Sequence, residues 1–150
     1  MREKFNEALK EAMKAGDKRR VGTLRLINAA LKDRDIEARG QGKERATDDE
    51  ILQLLQKMIK QRNDSIEQFD RAGRNDLSTQ EREEKVIIES YLPQQMSADE
   101  VREAAKAAVA AVGAASVKDM GKVMTELKGK YAGKMDFSKA NAVVKELLTQ

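Results

Sequence analysis

The chain of 150 residues has no cysteine, no histidine, no tryptophan and a single proline. Without Cys or His, a structural zinc site, an iron–sulfur cluster, haem ligation and any Ser–His–Asp or Cys–His catalytic arrangement are excluded. Disulfides are excluded too, so nothing argues for an oxidising compartment. No apolar run approaches the ~18 residues that span a bilayer. The N-terminus, Met1-Arg2-Glu3-Lys4-Phe5-Asn6-Glu7, is acidic where a secretory or organellar leader is acid-poor, and a cytoplasmic protein is expected. Asp/Glu, Lys, Arg, Ser/Thr and two tyrosines remain for chemistry, a thin inventory for an enzyme. Neither a metal nor a cofactor is expected.

What is present favours helix. Charged residues make up 37% and aromatics 3%, while Ala, Leu, Glu, Lys, Arg and Met, the strongest helix formers, dominate. A chain of this length buries roughly 70% of its unfolded surface, enough for one core or two small ones. Twenty-nine basic residues against 26 acidic give a net charge of +3, a mild excess whose distribution matters more than its size.

Apolar spacing predicts seven helices and an all-α fold. Phe5, Leu9, Ala12 and Met13 form a narrow stripe that stops at Gly16. Asp17 is an N-cap candidate for a long second helix with Val21, Leu24, Ile27, Leu31 and Ile36 inward, broken at Gly40-Gln41-Gly42-Lys43. Thr47, with Glu50 three residues on, makes a capping box for a third helix that buries Ile51, Leu55, Met58, Ile59, Ile66 and Phe69 and ends at Gly73. A fourth begins near Asp76 to Thr79, carries Val86, Ile87, Tyr91 and Leu92, and is stopped by Pro93.

The stretch Pro93–Ser97 reads as a domain boundary, with an N-terminal helical domain over 1–93 and a small three-helix bundle over 97–150. Ser97 and Glu100 form a second capping box. The fifth helix presents Val101, Ala104, Ala105, Ala108, Val109 and Val112 on one face, and its alanine content requires partners to approach closely. A sixth follows Ser116 with Val117, Met120, Met124, Leu127 and Tyr131 inward. A seventh follows Asp136 with Phe137, Ala140, Val144, Leu147 and Leu148.

Among residues that could carry chemistry, the acidic groups Asp33/Asp35/Glu37, Asp48/Asp49/Glu50 and Glu81/Glu83/Glu84 come first. On a helix, positions i and i+2 point to different faces, so these triplets do not converge on one ion and read as solvated faces. No phosphate-binding Gly-rich loop, EF-hand loop or nucleophile elbow occurs. Lys18-Arg19-Arg20, at the start of the second helix, opposes the macrodipole and reads as a solvated turn beside Asp17.

The basic excess is concentrated in Ser116–Met135, where Lys118, Lys122, Lys128, Lys130 and Lys134 face only Asp119 and Glu126, a net +3 in twenty residues. Gly113, Gly121, Gly129 and Gly133 fall in or beside it. Glycine lets a backbone approach a phosphate or a neighbouring helix, and Ser116 opens a helix whose free N–H groups could receive an anion. Lysines so clustered neutralise phosphate without reading bases. The same stretch also reads as a solvated helix face, with Gly121 permitting tight packing and Tyr131 continuing the apolar stripe.

Four segments carry a resemblance. Leu9–Lys18 with Thr23–Ile27, Ile88–Pro93 followed by Met96-Ser97, Met120-Gly121-Lys122-Val123-Met124, and Val143–Leu148 together resemble the YqeY family in order and over essentially the whole chain. That family is similar, in its C-terminal helical domain, to the tail of GatB, the B subunit of the glutamine-dependent aspartyl/glutamyl-tRNA amidotransferase, a carbon–nitrogen ligase whose tail helps hold tRNA. The resemblance implies a non-catalytic helical protein with a tRNA-binding or amidotransferase-associated role. The amidase and activation chemistry lie outside the resembling part. The motif around Lys122 is the element carried over as tRNA-contacting. With the lysine stretch it gives the candidate set Lys118, Gly121, Lys122, Lys128, Lys130 and Lys134. After Gly133-Lys134 the chain reads Met135-Asp136-Phe137 where the family often has a small acidic-glycine turn, which weakens the case for Lys134. The alternative reading is a protein–protein adaptor with a protein partner and no nucleic-acid role.

Overall fold

A computed structural model describes residues 1–149. Among the described residues the fold is all-α, with seven α-helices, one 3-10 turn and no strand. The helices are α1 (Arg2–Ala15), α2 (Lys18–Gly40), α3 (Asp48–Arg71), α4 (Asn75–Glu89), α5 (Ala98–Val112), α6 (Met120–Tyr131) and α7 (Phe137–Thr149). The chain forms two compact units, Met1–Leu92 with α1 to α4 and Pro93–Gln150 with α5 to α7.

The helix starts follow from side-chain capping. Asp17 Oδ1 accepts from the Arg20 N–H at 3.1 Å and opens α2. Thr47 and Ser97 head α3 and α5 with reciprocal boxes: each hydroxyl accepts from the backbone N–H of Glu50 or Glu100, and each glutamate accepts from the cap's own N–H. Gly16 at the end of α1 and Gly113 at the end of α5 take φ of 70° and 64°. This left-handed conformation lets their amides reach back to the last free carbonyls at little steric cost.

In the first unit, Phe5 and Ala12 of α1, Leu24, Ile27 and Leu31 of α2, Ile51, Leu55 and Met58 of α3, and Ile88 of α4 form one buried cluster. The Phe5 ring meets Tyr91 edge-on, with centroids 5.2 Å apart. Tyr91 and Leu92 pack on this core from beyond the end of α4 rather than from within it. In the second unit Ala104, Ala105 and Ala108 let α5 sit close to Val123 and Leu127 of α6 and to Ala140 and Val144 of α7, with Met135 filling the remaining gap.

Several expected inward positions face out. Val86 is 64% exposed because the inner face of α4 is held by Glu84, Ile87 and Ile88, and a residue two away from Glu84 and Ile88 lies about 200° round the helix. Ile36, 55% exposed, stands in the same relation to buried Ala38. Met13 is likewise exposed, and Ile66 and Phe69 are half-buried. The fourth helix starts at Asn75, just ahead of the expected span, without a side-chain cap. The sixth does not start at Ser116: Val117–Asp119 form a 3-10 turn, Val117 is exposed, and α6 begins at Met120. Val123, absent from the expected stripe, is fully buried.

Candidate functional site

The second unit carries an open groove of about 710 Å³ along the outer face of α6. Its floor is Gly121, Thr125 and Gly129, spaced four residues apart and so stacked on one helix face over about 12 Å. Lys118, Lys122, Glu126 and Lys130 flank the floor, and Val112 at the end of α5 closes one side. Three lysines against one glutamate give the groove a formal charge of +2.

The two glycines are not there for packing. A Cβ built on Gly121 or Gly129 meets no atom within 4 Å, so the tight-packing explanation of Gly121 is corrected. Each glycine in a helix costs about 0.5–1 kcal/mol relative to alanine, and here no close helix contact offsets it. The consequence is a strip of helix backbone that an approaching molecule can reach. Thr125 does not fill it with a free donor, because its hydroxyl donates to the Gly121 carbonyl at 2.8 Å.

The charges around the groove are partly committed. Lys130 Nζ pairs with Glu126 Oε1 at 3.1 Å across one helical turn. Asp119 Oδ2 accepts from the amides of Ala115 at 2.9 Å and Ser116 at 3.3 Å. These bonds, together with nearby Lys122, hold the Asp119 carboxyl below the usual carboxylate range. The amides of Ala115 and Ser116, just ahead of the 3-10 turn, are therefore taken by the chain's own carboxylate.

Of the six candidate residues, Lys118, Gly121, Lys122 and Lys130 line the groove, and Lys128 and Lys134 are exposed outside its lining. The Lys134 carbonyl accepts from the Met96 N–H at 2.8 Å, and the Gly133 carbonyl from Gln95 Nε2 at 2.6 Å. With Met135 buried, this loop's backbone serves the fold. Thr125, Glu126 and Gly129 join the site although none of them is in the candidate set; the signal available was the four-residue spacing of Gly121, Thr125 and Gly129.

In the first unit each acidic triplet has members engaged with cations. Arg2 grips Asp35 with two guanidinium nitrogens at 2.6 and 2.7 Å, and the Ala46 N–H donates to the same carboxylate at 2.9 Å. Arg34 pairs with Glu50 and, at 3.6 Å, with Glu37, around a cleft of about 480 Å³ between α2 and α3. Arg19 pairs with Glu83 at 3.0 Å, and Arg62 with Glu84 at 3.3 Å. No group of three acidic residues placed to hold a metal ion occurs among the described residues.

The family described as Yqey-like protein matches residues 2–148. A Lachancea thermotolerans protein named "Altered inheritance of mitochondria protein 41, mitochondrial" is 38% identical over 98 residues, 65% of this chain and 51% of the relative. The protein of the same name from Pyrenophora tritici-repentis is 32% identical over 127 residues, 81% of this chain and 68% of the relative. A Saccharomyces cerevisiae counterpart is 34% identical over 86 residues, 57% of this chain and 45% of the relative. The chain thus spans about half the length of the first of these relatives. Their names overturn the cytoplasmic expectation, since they point to mitochondria. The acidity of residues 1–7, on which that expectation rested, is that of the opening of α1, where Phe5 is fully buried and Arg2 is bonded to Asp35.

Proposed function

The chain belongs to the YqeY family, and from that premise we propose that it is a non-catalytic RNA-binding protein whose α6 groove holds the sugar–phosphate backbone of tRNA. In this reading residues 1–93 and 97–150 act as two domains, the second resembling the tRNA-binding tail of the amidotransferase subunit. The observation that carries it is the groove itself: Lys118, Lys122 and Lys130 stand around helix backbone left bare at Gly121 and Gly129. Lysine supplies a compact charge for phosphate, and missing side chains let the strand approach. Shape and charge of this kind position a nucleic acid without reading its sequence. Lys128 and Lys134 add to the local positive field from outside the groove.

Labelled tRNA titrated with the intact protein at low salt tests this. Saturable binding is expected that a poly-glutamate peptide of equal charge displaces only weakly, because the groove is open to a broad strand. No binding, or equal displacement by the peptide, overturns it, and the latter outcome favours an acidic protein partner.

A further inference from the structure

Glu126 is the one carboxylate in a groove otherwise lined by cations and small or neutral residues. A surface built only to neutralise phosphate gains nothing from it. It repels the strand and ties up Lys130, whose ammonium lies 3.1 Å from its Oε1. The side chain is 32% exposed, so the charge stands at the groove wall rather than out in bulk water. Next to it the helix surface is bare at Gly129, where an added Cβ would meet nothing within 4 Å, leaving room for a flat group against the backbone.

A carboxylate is an acceptor only, with two oxygens, and Lys130 occupies one of them. What the second oxygen can recognise is a donor brought in beside phosphate. The exocyclic amino groups of cytosine, adenine and guanine are such donors, whereas uracil offers a carboxylate only its N3–H, flanked on both sides by carbonyl oxygens that repel it. In a paired RNA helix one hydrogen of each amino group is spent on the opposite strand, and the other hydrogen of cytosine or adenine lies in a major groove too deep and narrow for a side chain, so the recognised base is an unpaired one. We propose that Glu126 is the specificity-determining residue of this groove and selects an unpaired, amino-bearing base of a single-stranded RNA segment whose phosphates lie against Lys118 and Lys122. This rests on the nucleic-acid reading above and adds to it a preference that phosphate contacts alone do not give.

Fluorescence anisotropy with ten-nucleotide oligo(rC) and oligo(rU), equal in charge and both pyrimidine, tests the idea on the intact protein. Binding to oligo(rC) tighter by roughly threefold to tenfold is expected, the worth of one partly exposed hydrogen bond to a charged group. In Glu126→Gln the amide both donates and accepts, and Lys130 is released. Oligo(rU) affinity should then rise and the ratio fall to about one. Lys122→Gln should weaken both oligonucleotides by the same factor. Equal binding of the two by the native protein overturns the inference while leaving the nucleic-acid reading standing. So does a cytosine preference that survives in Glu126→Gln. Failure of either oligonucleotide and of tRNA to bind at low salt overturns both.

Discussion

Asp35 is held on both carboxylate oxygens. Its fork with Arg2, reinforced by the Ala46 amide and Arg39, outweighs desolvation and lowers its pKa from 3.8 to about 2. Arg2 also donates to the Ala46 carbonyl at 2.8 Å, so one residue fastens α1 to α2 and to the loop before α3. A carboxyl whose folded pKa is depressed contributes stability above its unfolded pKa and loses it as pH falls through the folded one. The contribution is about 1–2 kcal/mol, less than the full shift implies because both side chains are partly exposed. Arg2→Ala should therefore lower urea stability by about that amount at pH 6, and the difference from the native protein should shrink between pH 4 and pH 2. An undiminished difference at low pH contradicts this. None of it was legible in the sequence, where Asp35 reads as one of a solvated triplet and its partner lies 33 residues away. The place of Glu126 in the groove was not legible for a similar reason: in a charge count it merely subtracts one from the lysine total.

At the scale of elements, α3 and α4 form an antiparallel hairpin with a charge inside it. Glu84 is 7% exposed and lies beside Arg62, whose Nη1 also donates to the Met58 carbonyl. Burial, and secondarily the Glu84 charge, raises the pKa of neighbouring Glu81. Removing one partner of a buried pair leaves the other uncompensated, so Glu84→Ala should cost about 3 kcal/mol in a urea melt. The paired change Glu84→Leu with Arg62→Met should recover most of that, because apolar groups of similar volume replace both charges. A double variant no more stable than the single one contradicts the pairing argument. Helix starts were the most legible features, since Asp17, Thr47 and Ser97 act through bonds to residues three positions on. Faces were less so: Val86 and Ile36 are apolar but lie opposite the side chains that tertiary packing selected, and hydropathy does not say which face finds a neighbour. The start of α6 failed because Asp119 turns back onto the amides of Ala115 and Ser116 and winds the chain into a 3-10 turn first.

For the whole molecule, the all-α class follows from composition and period, while the groove does not. It depends on which face of α6 stays uncovered once Val123 and Leu127 turn inward. The five candidate lysines divide accordingly, three lining the groove and two outside it. The central claim of the account is the proposal that the groove of α6 holds the sugar–phosphate backbone of tRNA by charge and shape. The salt dependence of tRNA affinity tests it most directly. Each phosphate contact contributes about 0.7–0.9 to the magnitude of the slope of log affinity against log salt. The double variant Lys118→Gln/Lys122→Gln should therefore flatten the slope by about 1.5, whereas Lys128→Gln, outside the groove, should change it by less than half a unit. Equal slopes for the native protein and the double variant would contradict the account.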